Sequence, residues 1–400
     1  MKVAIIGGGA AGLVCGITAK NENNEVIILE RNKECGKKIL VTGNGKCNYW
    51  NTSQRLFHYQ SSKENEINKL INETTEKEVL DFFDNLGVLP KYKNGYMYPN
   101  SNQSSTIKEL LVEECKNKNI EIITDYLVES IEKVNDKFII NKHLEFDKIV
   151  LATGSYAAPK TGSTGMGYDF LKHFNHTIIK PLPALVQLKT YKFPYLNEWK
   201  GIRTDVNLTH IDAGKIIRHE SGEIQLTDYG ISGICVFNLS NRIARGLENG
   251  RHQYVLIDFL PSLTNDQLIE KLENNKPLKN NLLGLLNKKL VQVILNKNNL
   301  TENISYNQLT KLNQVNLLGN LKNFQVEIIA TNSYDDAQVC SGGVSLDEVN
   351  LHTMESKKEN NLYIIGELLD LTGDCGGYNL GIAWRSGIVA GKAIRGNIND

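Results

Sequence analysis

The 400-residue chain lacks the features that would assign it to several simple classes. Its 45 basic and 45 acidic residues cancel, and neither half carries a long block of one charge sign, which disfavours a nucleic-acid surface. No apolar run is long enough to span a membrane, and the glycine-broken N-terminal stretch lacks the basic region and cleavage site of a signal peptide. We therefore expect a cytoplasmic protein with neither a membrane nor a nucleic-acid partner.

The cysteines show no pairing pattern. There are seven, an odd number, they are scattered, and no two are spaced Cys-x-x-Cys, which disfavours both a disulfide framework and a zinc site. The eight histidines show no metal-ligand or triad spacing, and we interpret them as structural or surface residues. The pattern predicts a reduced protein without a metal.

The first 30 residues carry a dinucleotide-binding pattern. A β-branched run at 3–6 ends at Gly7-x-Gly9-x-x-Gly12, a helical pattern follows, and a second apolar run ends at Glu30. The glycines permit a tight turn, a close approach to a pyrophosphate and close packing of helix on strand. The helix N-terminus supplies N–H groups to the anion, and Glu30 is placed to hold the ribose hydroxyls. NAD and FAD share this adenosine half, so the motif alone does not separate them.

Residues 36–51 favour FAD. The stretch GKKILVTGNGKCNYWN concentrates lysine, glycine and asparagine where an NAD enzyme ordinarily continues into another strand and helix. A polar glycine-rich loop suits a ligand that extends past the pyrophosphate along a ribityl chain. The alternative is an exposed loop in an asparagine-rich chain, and the stretch alone does not decide between the two.

Glycines near residue 377 extend the same predicted site. An apolar strand at 362–365 ends at Gly366-Glu367, and a glycine-rich turn links it to a helix predicted from about Leu380 to Ile394. Ligands of doubly wound sheets bind beyond the carboxyl ends of strands, which places Glu367 near a ribityl hydroxyl. Gly377 would let backbone cross a flat ring, and the helix N-terminus stabilises a reduced flavin by about 0.3–1 kcal/mol. The alternative is a plain loop between a strand and a packing helix.

The middle of the chain predicts a β-rich insertion. Short alternating runs surround a turn at Asn135-Asp136, and a buried strand ends at Thr153-Gly154. Residues 181–262 alternate as in a barrel or sandwich. Residues 264–318 switch to helical periodicity, with capping boxes at Thr264/Gln267 and Ser305/Gln308.

Motifs spread over the chain resemble one protein family. From Met1 to about Arg395, the segments GKKILVTGNGKCN, DYGISG, SGGVSLDEV, TMESK and LYIIGELLDLTGDCGGYNLGIAWRSGIVAG are similar to the BaiN/RdsA family of NAD(P)/FAD-dependent oxidoreductases, also called YhiN or HI0933-like flavoproteins. The resemblance implies an α/β fold, with a glutathione-reductase-type FAD-binding Rossmann domain and an inserted β-rich domain, a barrel or sandwich, carrying a small helical subdomain. The expected bounds are 1–185 and 335–400 for the FAD-binding domain, 186–262 and 322–334 for the β-rich domain, and 263–321 for the helical subdomain.

The resemblance also places residues at or near FAD. Lys46 occupies a position at which the family more commonly has arginine. The positive charge is kept, but the paired hydrogen bonds that a guanidinium group can donate are lost. The residues predicted to hold non-covalent FAD are Gly7, Gly9, Ala11, Gly12, Glu30, Arg31, Lys38, Asn44, Gly45, Lys46, Cys47, Asn48, Val128, Thr153, Gly154, Gly366, Glu367, Gly377, Asn379 and Leu380.

The predicted chemistry belongs to the flavin, while the protein positions a small-molecule substrate and supplies a proton. Tyr378 is the predicted proton donor among candidates that include Tyr229, Ser232 and Cys375, and the alternative for Tyr378 is simple packing. Cys375 has no second cysteine at redox spacing, which disfavours disulfide reduction. The chain has no second GxGxxG motif, so NADH or NADPH would visit the open flavin face transiently.

Three functions remain open from the sequence. The first is NAD(P)H-driven reduction of a small conjugated carbonyl, such as a steroid-like enone, because family members have been linked to bile-acid intermediates. The second is oxidation of a small amine such as aminoacetone, with electrons passed to oxygen to give hydrogen peroxide. The third is modification of RNA by a flavoprotein, which the zero net charge disfavours. The oligomeric state stays open.

Overall fold

The protein is described over residues 1–396, in a computed structural model. It forms two compact units, one made of Met1–Leu182 with the chain from Gln338 onward, the other of Pro183–Ala337. An α/β unit with a β-rich insertion agrees with the predicted fold class. The three-domain division, with its separate helical subdomain at 263–321, stays a prediction.

Strands and helices follow each other along both units. The strands are β1 (Lys2–Ile6), β2 (Glu25–Leu29), β3 (Trp50–Asn51), β4 (Tyr59–Gln60), β5 (Pro90–Lys93), β6 (Tyr96–Pro99), β7 (Glu121–Ile123), β8 (Ile131–Val134), β9 (Lys137–Ile140), β10 (Leu144–Phe146), β11 (Lys148–Leu151), β12 (Ile178–Ala184), β13 (Leu188–Thr190), β14 (Arg203–Asp212), β15 (Lys215–Leu226), β16 (Gly230–Ser232), β17 (Gln253–Asp258), β18 (Phe324–Thr331), β19 (Val339–Val344), β20 (Val349–Asn350), β21 (Glu355–Ser356), β22 (Leu362–Ile364) and β23 (Thr372–Gly373). The helices are α1 (Ala10–Ala19), α2 (Lys37–Val41), α3 (Ile67–Leu70), α4 (Glu73–Asn85), α5 (Ser104–Asn117), α6 (Met166–His173), α7 (Leu196–Trp199), α8 (Ile234–Glu248), α9 (Asn265–Leu272), α10 (Leu278–Leu283), α11 (Lys288–Lys297), α12 (Lys311–Lys322) and α13 (Tyr378–Arg395). Short 3-10 turns lie at Thr42–Gly45, Leu56–His58, Glu64–Glu66, Pro159–Thr161, Tyr306–Gln308, Leu346–Glu348 and Gly366–Leu368.

The main sheet of the first unit has the strand order β20-β21-β22-β11-β1-β2-β7. Its strands from β22 to β7 are parallel, and Ile5 of β1 lies opposite Ile28 on one side and Val150 on the other. β20 and β21 pair antiparallel at one edge. The central strands are apolar and buried, as expected for a parallel sheet covered on both faces.

Two helices of the first unit approach each other closely through glycine. A Cβ on Gly387 of α13 would lie 2.6 Å from the carbonyl oxygen of Ala11 in α1, and a Cβ on Gly391 would lie 2.5 Å from Cβ of Thr18. Only glycine permits this backbone separation. α13 begins at Tyr378, two residues before the predicted start.

The small antiparallel elements confirm a predicted turn. β8, β9 and β10 form one sheet, and the turn between β8 and β9 holds Asn135 and Asp136 in the left-handed region, with φ values of 48° and 65°. This conformation matches the right-handed twist of a tight hairpin. The other small sheets are β3-β6-β5, β4-β23 and β12-β19.

The second unit is a closed barrel with helices. Its strand order is β13-β16-β15-β14-β17-β18, which decides for a barrel over a sandwich. The barrel core includes Leu208, Ile224, Val255 and Ile257, each fully buried. Helices α9 to α12 fill the region of predicted helical periodicity, and both predicted capping boxes are present.

Candidate functional site

Four neighbouring parallel strands of the first unit end at one edge of the main sheet. β1, β2, β11 and β22 are followed by Gly7, Glu30, Ala152-Thr153 and Ile365-Gly366, respectively. Because parallel strands place their carboxyl ends at the same edge, the fold brings these predicted residues together. This is the edge at which doubly wound sheets bind ligands.

The turn after β1 has the geometry that a pyrophosphate requires. Gly7 has φ of +110°, and a Cβ there would lie 2.4 Å from the Ala152 carbonyl oxygen, while a Cβ on Gly12 would lie 2.0 Å from the Gly7 carbonyl oxygen. No side chain caps α1 at Gly9, and no heavy atom lies within 4 Å of the position a Cβ on Gly9 would take. Gly7 and Gly12 are therefore required by packing, whereas Gly9 faces open space in front of the helix N-terminus.

Glu30 is buried and already held by the backbone. Its Oε2 accepts from the Gly8 amide at 2.7 Å, and its Oε1 accepts from the Asn32 backbone amide at 2.8 Å and from the Asn32 side chain at 2.7 Å. These bonds fix the carboxylate and leave it acceptor capacity for a hydroxyl group. Next to it, Arg31 donates to the Thr164 hydroxyl at 2.8 Å, and Val128 is buried.

Lys38 and Glu367 form an ion pair across 329 positions of sequence. Lys38 Nζ lies 2.6 Å from Glu367 Oε2, with both side chains mostly shielded. The other oxygen of Glu367 accepts from the Ser155 hydroxyl at 2.7 Å and the Cys340 amide at 3.1 Å. Two residues predicted separately to contact FAD are thus brought together, and the contact of Glu367 with a ribityl hydroxyl stays a prediction.

The loop from Thr42 to Asn48 is a run of unusual backbone. Gly43, Asn44, Gly45 and Cys47 all have positive φ. Asn44, Gly45 and Lys46 are exposed, and nothing lies within 4 Å of a Cβ placed on Gly45. Successive amides in such a loop form a concave, anion-accepting surface.

Two residues at the end of this loop are structural anchors. Cys47 is buried, and burial raises the pKa of its thiol to about 12, so it stays protonated. With the oxygen and nitrogen of its side-chain amide exchanged, as the neighbouring carbonyl groups require, Asn48 donates to the carbonyl oxygen of Trp50 at 2.8 Å. They hold the loop while its exposed tip remains available to a ligand.

The glycine turn before α13 packs against protein at two points. Gly376 has φ of +116°, and a Cβ there would lie 2.5 Å from Cε1 of Tyr96. Gly377 has φ of +94°, and a Cβ there would lie 2.6 Å from the Trp50 carbonyl carbon. Alanine at 377 would therefore strain the protein even without a flavin. The close approach that requires glycine is to the Trp50 backbone.

The first turn of α13 is held by hydrogen bonds to the segment that precedes the helix. No side chain caps its N-terminus at Gly377, while the Asn379 side chain accepts from the Gly373 amide at 2.9 Å and donates to the Gly373 carbonyl at 2.8 Å. Asn379 therefore fixes the turn, and partly exposed Leu380 follows it. The open N–H groups of the helix suit an anionic group.

Tyr378, the predicted proton donor, is 3% exposed. Its ring stacks on His58, with centroids 4.5 Å apart, and meets Tyr59 edge-on at 5.5 Å. Burial raises the pKa of its phenol, which therefore remains protonated. These surroundings favour the packing alternative, and a catalytic role for Tyr378 stays a prediction.

His58 pairs with a buried acid, although the sequence predicted a structural or surface role for it. His58 Nδ1 lies 2.9 Å from Oδ2 of Asp374, whose side chain is 3% exposed. The two residues are 316 positions apart, so no local spacing could reveal the pair. The His58 side chain is 17% exposed and lies next to the glycine turn.

The residues present fit an FAD molecule. The Thr153 hydroxyl is buried at the sheet edge with no hydrogen-bond partner in the described chain. Gly9 and Gly45 face open space, and the N-termini of α1 and α13 lack side-chain caps. An unpaired buried hydroxyl is costly, and a polar ligand at this edge would satisfy it.

Two classes of feature were not found over residues 1–396. No helix there is both long and apolar enough to cross a bilayer. No group of three or more His, Cys, Asp or Glu side chains there has the geometry to hold a metal ion.

The chain is similar to known proteins over most of its length. Residues 1–393 match the family model described as HI0933-like protein Rossmann domain. The chain is 36% identical over 403 residues to the 3-dehydro-bile acid delta(4,6)-reductase of Clostridium scindens, covering 98% of both chains. It is 28% identical over 393 residues to the ribosomal RNA dihydrouridine synthase of Escherichia coli, covering 96% of this chain and 95% of the relative.

A solved structure is similar in fold. The 3-ketosteroid delta1-dehydrogenase of Sterolibacterium denitrificans, in complex with 1,4-androstadiene-3,17-dione, superposes with a TM-score of 0.52 at 11% identity, covering 98% of this chain and 99% of that one. The family match extends over nearly the whole chain. The chain therefore belongs to the HI0933-like Rossmann family of flavoproteins and is an FAD-dependent oxidoreductase.

Proposed function

We propose that this protein reduces a carbon–carbon double bond conjugated to a carbonyl group in a small molecule, with NADH or NADPH as the reductant. The observation that carries the proposal is the 36% identity, over 98% of both chains, to a relative named as a 3-dehydro-bile acid delta(4,6)-reductase. Such a bile acid has a C3 ketone, and double bonds at positions 4 and 6 are conjugated to it. A steroid-like enone is therefore the substrate class that we propose.

The second relative supports the same bond type. Dihydrouridine is uridine whose ring double bond, conjugated to the C4 carbonyl, has been reduced, so a dihydrouridine synthase also reduces a conjugated alkene. This relative makes a uridine in RNA the second candidate substrate. The zero net charge of the chain favours the small molecule, because RNA binding usually draws on an excess of basic residues.

In this proposal the first unit holds FAD along the sheet edge. Gly9 and the N-terminus of α1 would bind the pyrophosphate, and Glu30 would accept a hydrogen bond from the adenosine ribose. The loop around Gly45 and the first turn of α13, at Asn379 and Leu380, would flank the isoalloxazine. The remaining predicted contacts, including Arg31, Lys46, Val128 and Gly154, stay predictions at the same edge. When bound, FAD supplies the hydride chemistry.

The protein's own residues contribute position and charge. The Lys38–Glu367 pair ties α2 to the segment after β22, so the two sides of the proposed pocket hold a fixed separation. The open helix N-terminus at Gly377 favours negative charge next to it by about 0.3–1 kcal/mol. The helix N-terminus therefore favours a reduced, anionic cofactor over a neutral one.

A cytoplasmic location also remains a proposal. None of the seven cysteines forms a disulfide, and those at positions 15, 35, 47, 115, 235 and 340 are buried. Free thiols persist in a reducing compartment.

Anaerobic half-reactions test the function. The enzyme is reduced with NADH or NADPH and then mixed with a 3-oxo-4-ene steroid, with unmodified ribosomal RNA, or with oxygen, while oxidised enzyme is mixed with aminoacetone. Flavin absorbance reports each reaction. We expect the steroid to reoxidise the reduced flavin and aminoacetone to leave the oxidised flavin unchanged. Reduction by aminoacetone with peroxide production would assign the amine oxidase instead, and reoxidation by RNA alone would assign the RNA-modifying function.

A further inference from the structure

Three side chains form one hydrogen-bonded group beside the glycine turn, and the ring of Tyr378 stacks on it. Oδ2 of Asp374 lies 2.9 Å from Nδ1 of His58, and Nε2 of His58 lies 3.5 Å from the Ser53 hydroxyl. A carboxylate on Nδ1 fixes the orientation of an imidazole and leaves Nε2 as the nitrogen that exchanges a proton.

His58 is the accessible titratable member of this group. Its side chain is 17% exposed, whereas Asp374 and Tyr378 are each 3% exposed. Tyr378 stacks on the imidazole and Phe57 lies tilted against it, with centroids 4.5 Å and 3.9 Å away. The ring is therefore held in place while part of the side chain stays exposed.

We propose that His58, oriented by Asp374, is the proton donor of the reduction, and that Tyr378 is a positioning residue that holds the imidazole. The inference rests on the proposed function. The β-carbon of the conjugated alkene gains a hydride that the reduced nicotinamide ultimately supplies. The α-carbon takes the proton from Nε2 of His58, whose N–H bond breaks as the C–H bond forms. The neutral imidazole then regains a proton from water.

The charged and titratable groups around His58 come from several elements. Asp374 faces it from the glycine turn, Tyr378 from α13, and Tyr59 contributes from β4 through its contact with Tyr378. Arg385 of α13 bonds the Tyr59 hydroxyl at 3.3 Å and does not contact the imidazole. Asp374 is therefore the charge that directly governs the orientation of His58.

Two variants separate the roles of His58 and Tyr378. His58→Gln removes the titrating group, whereas Tyr378→Phe removes only a hydroxyl and keeps the stacked ring. Each variant is first reduced fully with NADH or NADPH, and the rate of its reoxidation is then compared with that of wild type. Reoxidation by the enone should fall about 10²–10⁴-fold in His58→Gln and less than about tenfold in Tyr378→Phe. A large loss in Tyr378→Phe with little loss in His58→Gln would overturn the assignment.

A second measurement needs no substrate. The absorption spectrum of the bound oxidised flavin is compared between wild type and the two variants at one pH. Because the proposal places His58 next to the flavin ring, His58→Gln should shift the spectrum relative to wild type, and Tyr378→Phe should shift it less. An unchanged spectrum in His58→Gln overturns the proposal, as does labelling of Ser53 by a fluorophosphonate, which would indicate a nucleophilic serine. If no enone reoxidises the wild type while His58→Gln shifts the spectrum, the proposed function fails and the position of His58 beside the flavin stands.

Discussion

Arg385 lies over the ring of Trp50, with its guanidinium carbon 4.5 Å from the ring centroid. The side chain is fully buried, and its Nε and Nη1 donate to the Thr75 hydroxyl at 3.0 Å and to Gln54 Oε1 at 2.7 Å. Burial lowers the pKa of the guanidinium. Stacking on an indole and neutral hydrogen bonds together compensate a charge held away from water.

Replacing this arginine should destabilise the first unit strongly. Arg385→Ala leaves a cavity over Trp50 and removes the donors to Thr75 and Gln54, so we expect a loss of about 2–4 kcal/mol in the free energy of unfolding. Denaturant unfolding of the flavin-free protein measures this loss. Arg395→Ala, at an exposed position of the same helix, should change it by less than about 0.5 kcal/mol. Equal effects of the two substitutions would contradict the role of Arg385.

Gly9→Ala separates cofactor binding from folding. Gly9 has φ of −83°, which alanine adopts readily, and its Cβ would meet no protein atom. We therefore expect the flavin-free protein to keep its stability within about 0.5 kcal/mol, while FAD affinity falls at least about tenfold because the methyl group meets the pyrophosphate. Isothermal titration with FAD gives the affinity. Gly319→Ala, also in open space but in the second unit, should leave FAD affinity unchanged. Unaltered affinity in Gly9→Ala would mean that the pyrophosphate lies elsewhere.

Gly377→Ala should act on the protein itself. The positive φ and the clash with the Trp50 backbone both oppose a Cβ, so the flavin-free protein should lose at least about 2 kcal/mol of stability. Gly45→Ala is the matched variant, because Gly45 also has positive φ but its Cβ would meet nothing within 4 Å. It should cost only the conformational strain, about 1–2 kcal/mol. Thermal unfolding with FAD removed compares them, and equal losses would show that the Trp50 contact is unimportant.

The stability of the barrel unit should depend on His210. This side chain is fully buried, its Nε2 lies 2.8 Å from Gln253 Oε1, and burial lowers its pKa below the ordinary value of 6.5. Below pH 6.5 the unfolded chain therefore binds more protons than the folded one, and the free energy of unfolding falls as pH decreases through that window. Above it the contribution is constant.

The matched variants are His210→Gln and His252→Gln. Gln can retain the bond to Gln253 without titrating. Between about pH 7 and pH 5 the denaturation midpoint of His210→Gln should therefore fall less than that of wild type. The difference in slope should correspond to at most about one bound proton. The side chain of His252 is 77% exposed, and its replacement should leave the slope as in wild type. The same slope in His210→Gln and wild type would contradict the assignment.

Local spacing predicted the parts of this fold that local interactions determine. The glycine fingerprint, the Asn135-Asp136 turn and the capping boxes at Thr264 and Ser305 each depend on residues within a few positions of one another. Alternation likewise predicted strands in the barrel, although it could not tell a barrel from a sandwich, because closure depends on which distant strands pair.

The unpredicted parts are contacts between distant segments. The Lys38–Glu367 pair and the His58–Asp374 pair join positions more than 300 apart, and neither partner carries a local signal for the other. Gly377 is instructive in another way. Its conformational requirement was visible in the sequence, but the atom that imposes it, in the Trp50 backbone, could be identified only once β3 was placed beside the turn.

The pairing of α1 with α13 through Gly387 and Gly391 has a consequence for biosynthesis. The fingerprint helix emerges from the ribosome more than 300 residues before the helix that covers it, and β22 arrives equally late. A nascent chain stopped near residue 350 has the phosphate turn but lacks Gly366, Glu367 and the first turn of α13. We expect such a stalled chain to retain no flavin, and one that exposes everything through Arg395 to retain it. Cofactor acquisition would then report that the last helix has docked, which makes bound flavin a marker of completed synthesis.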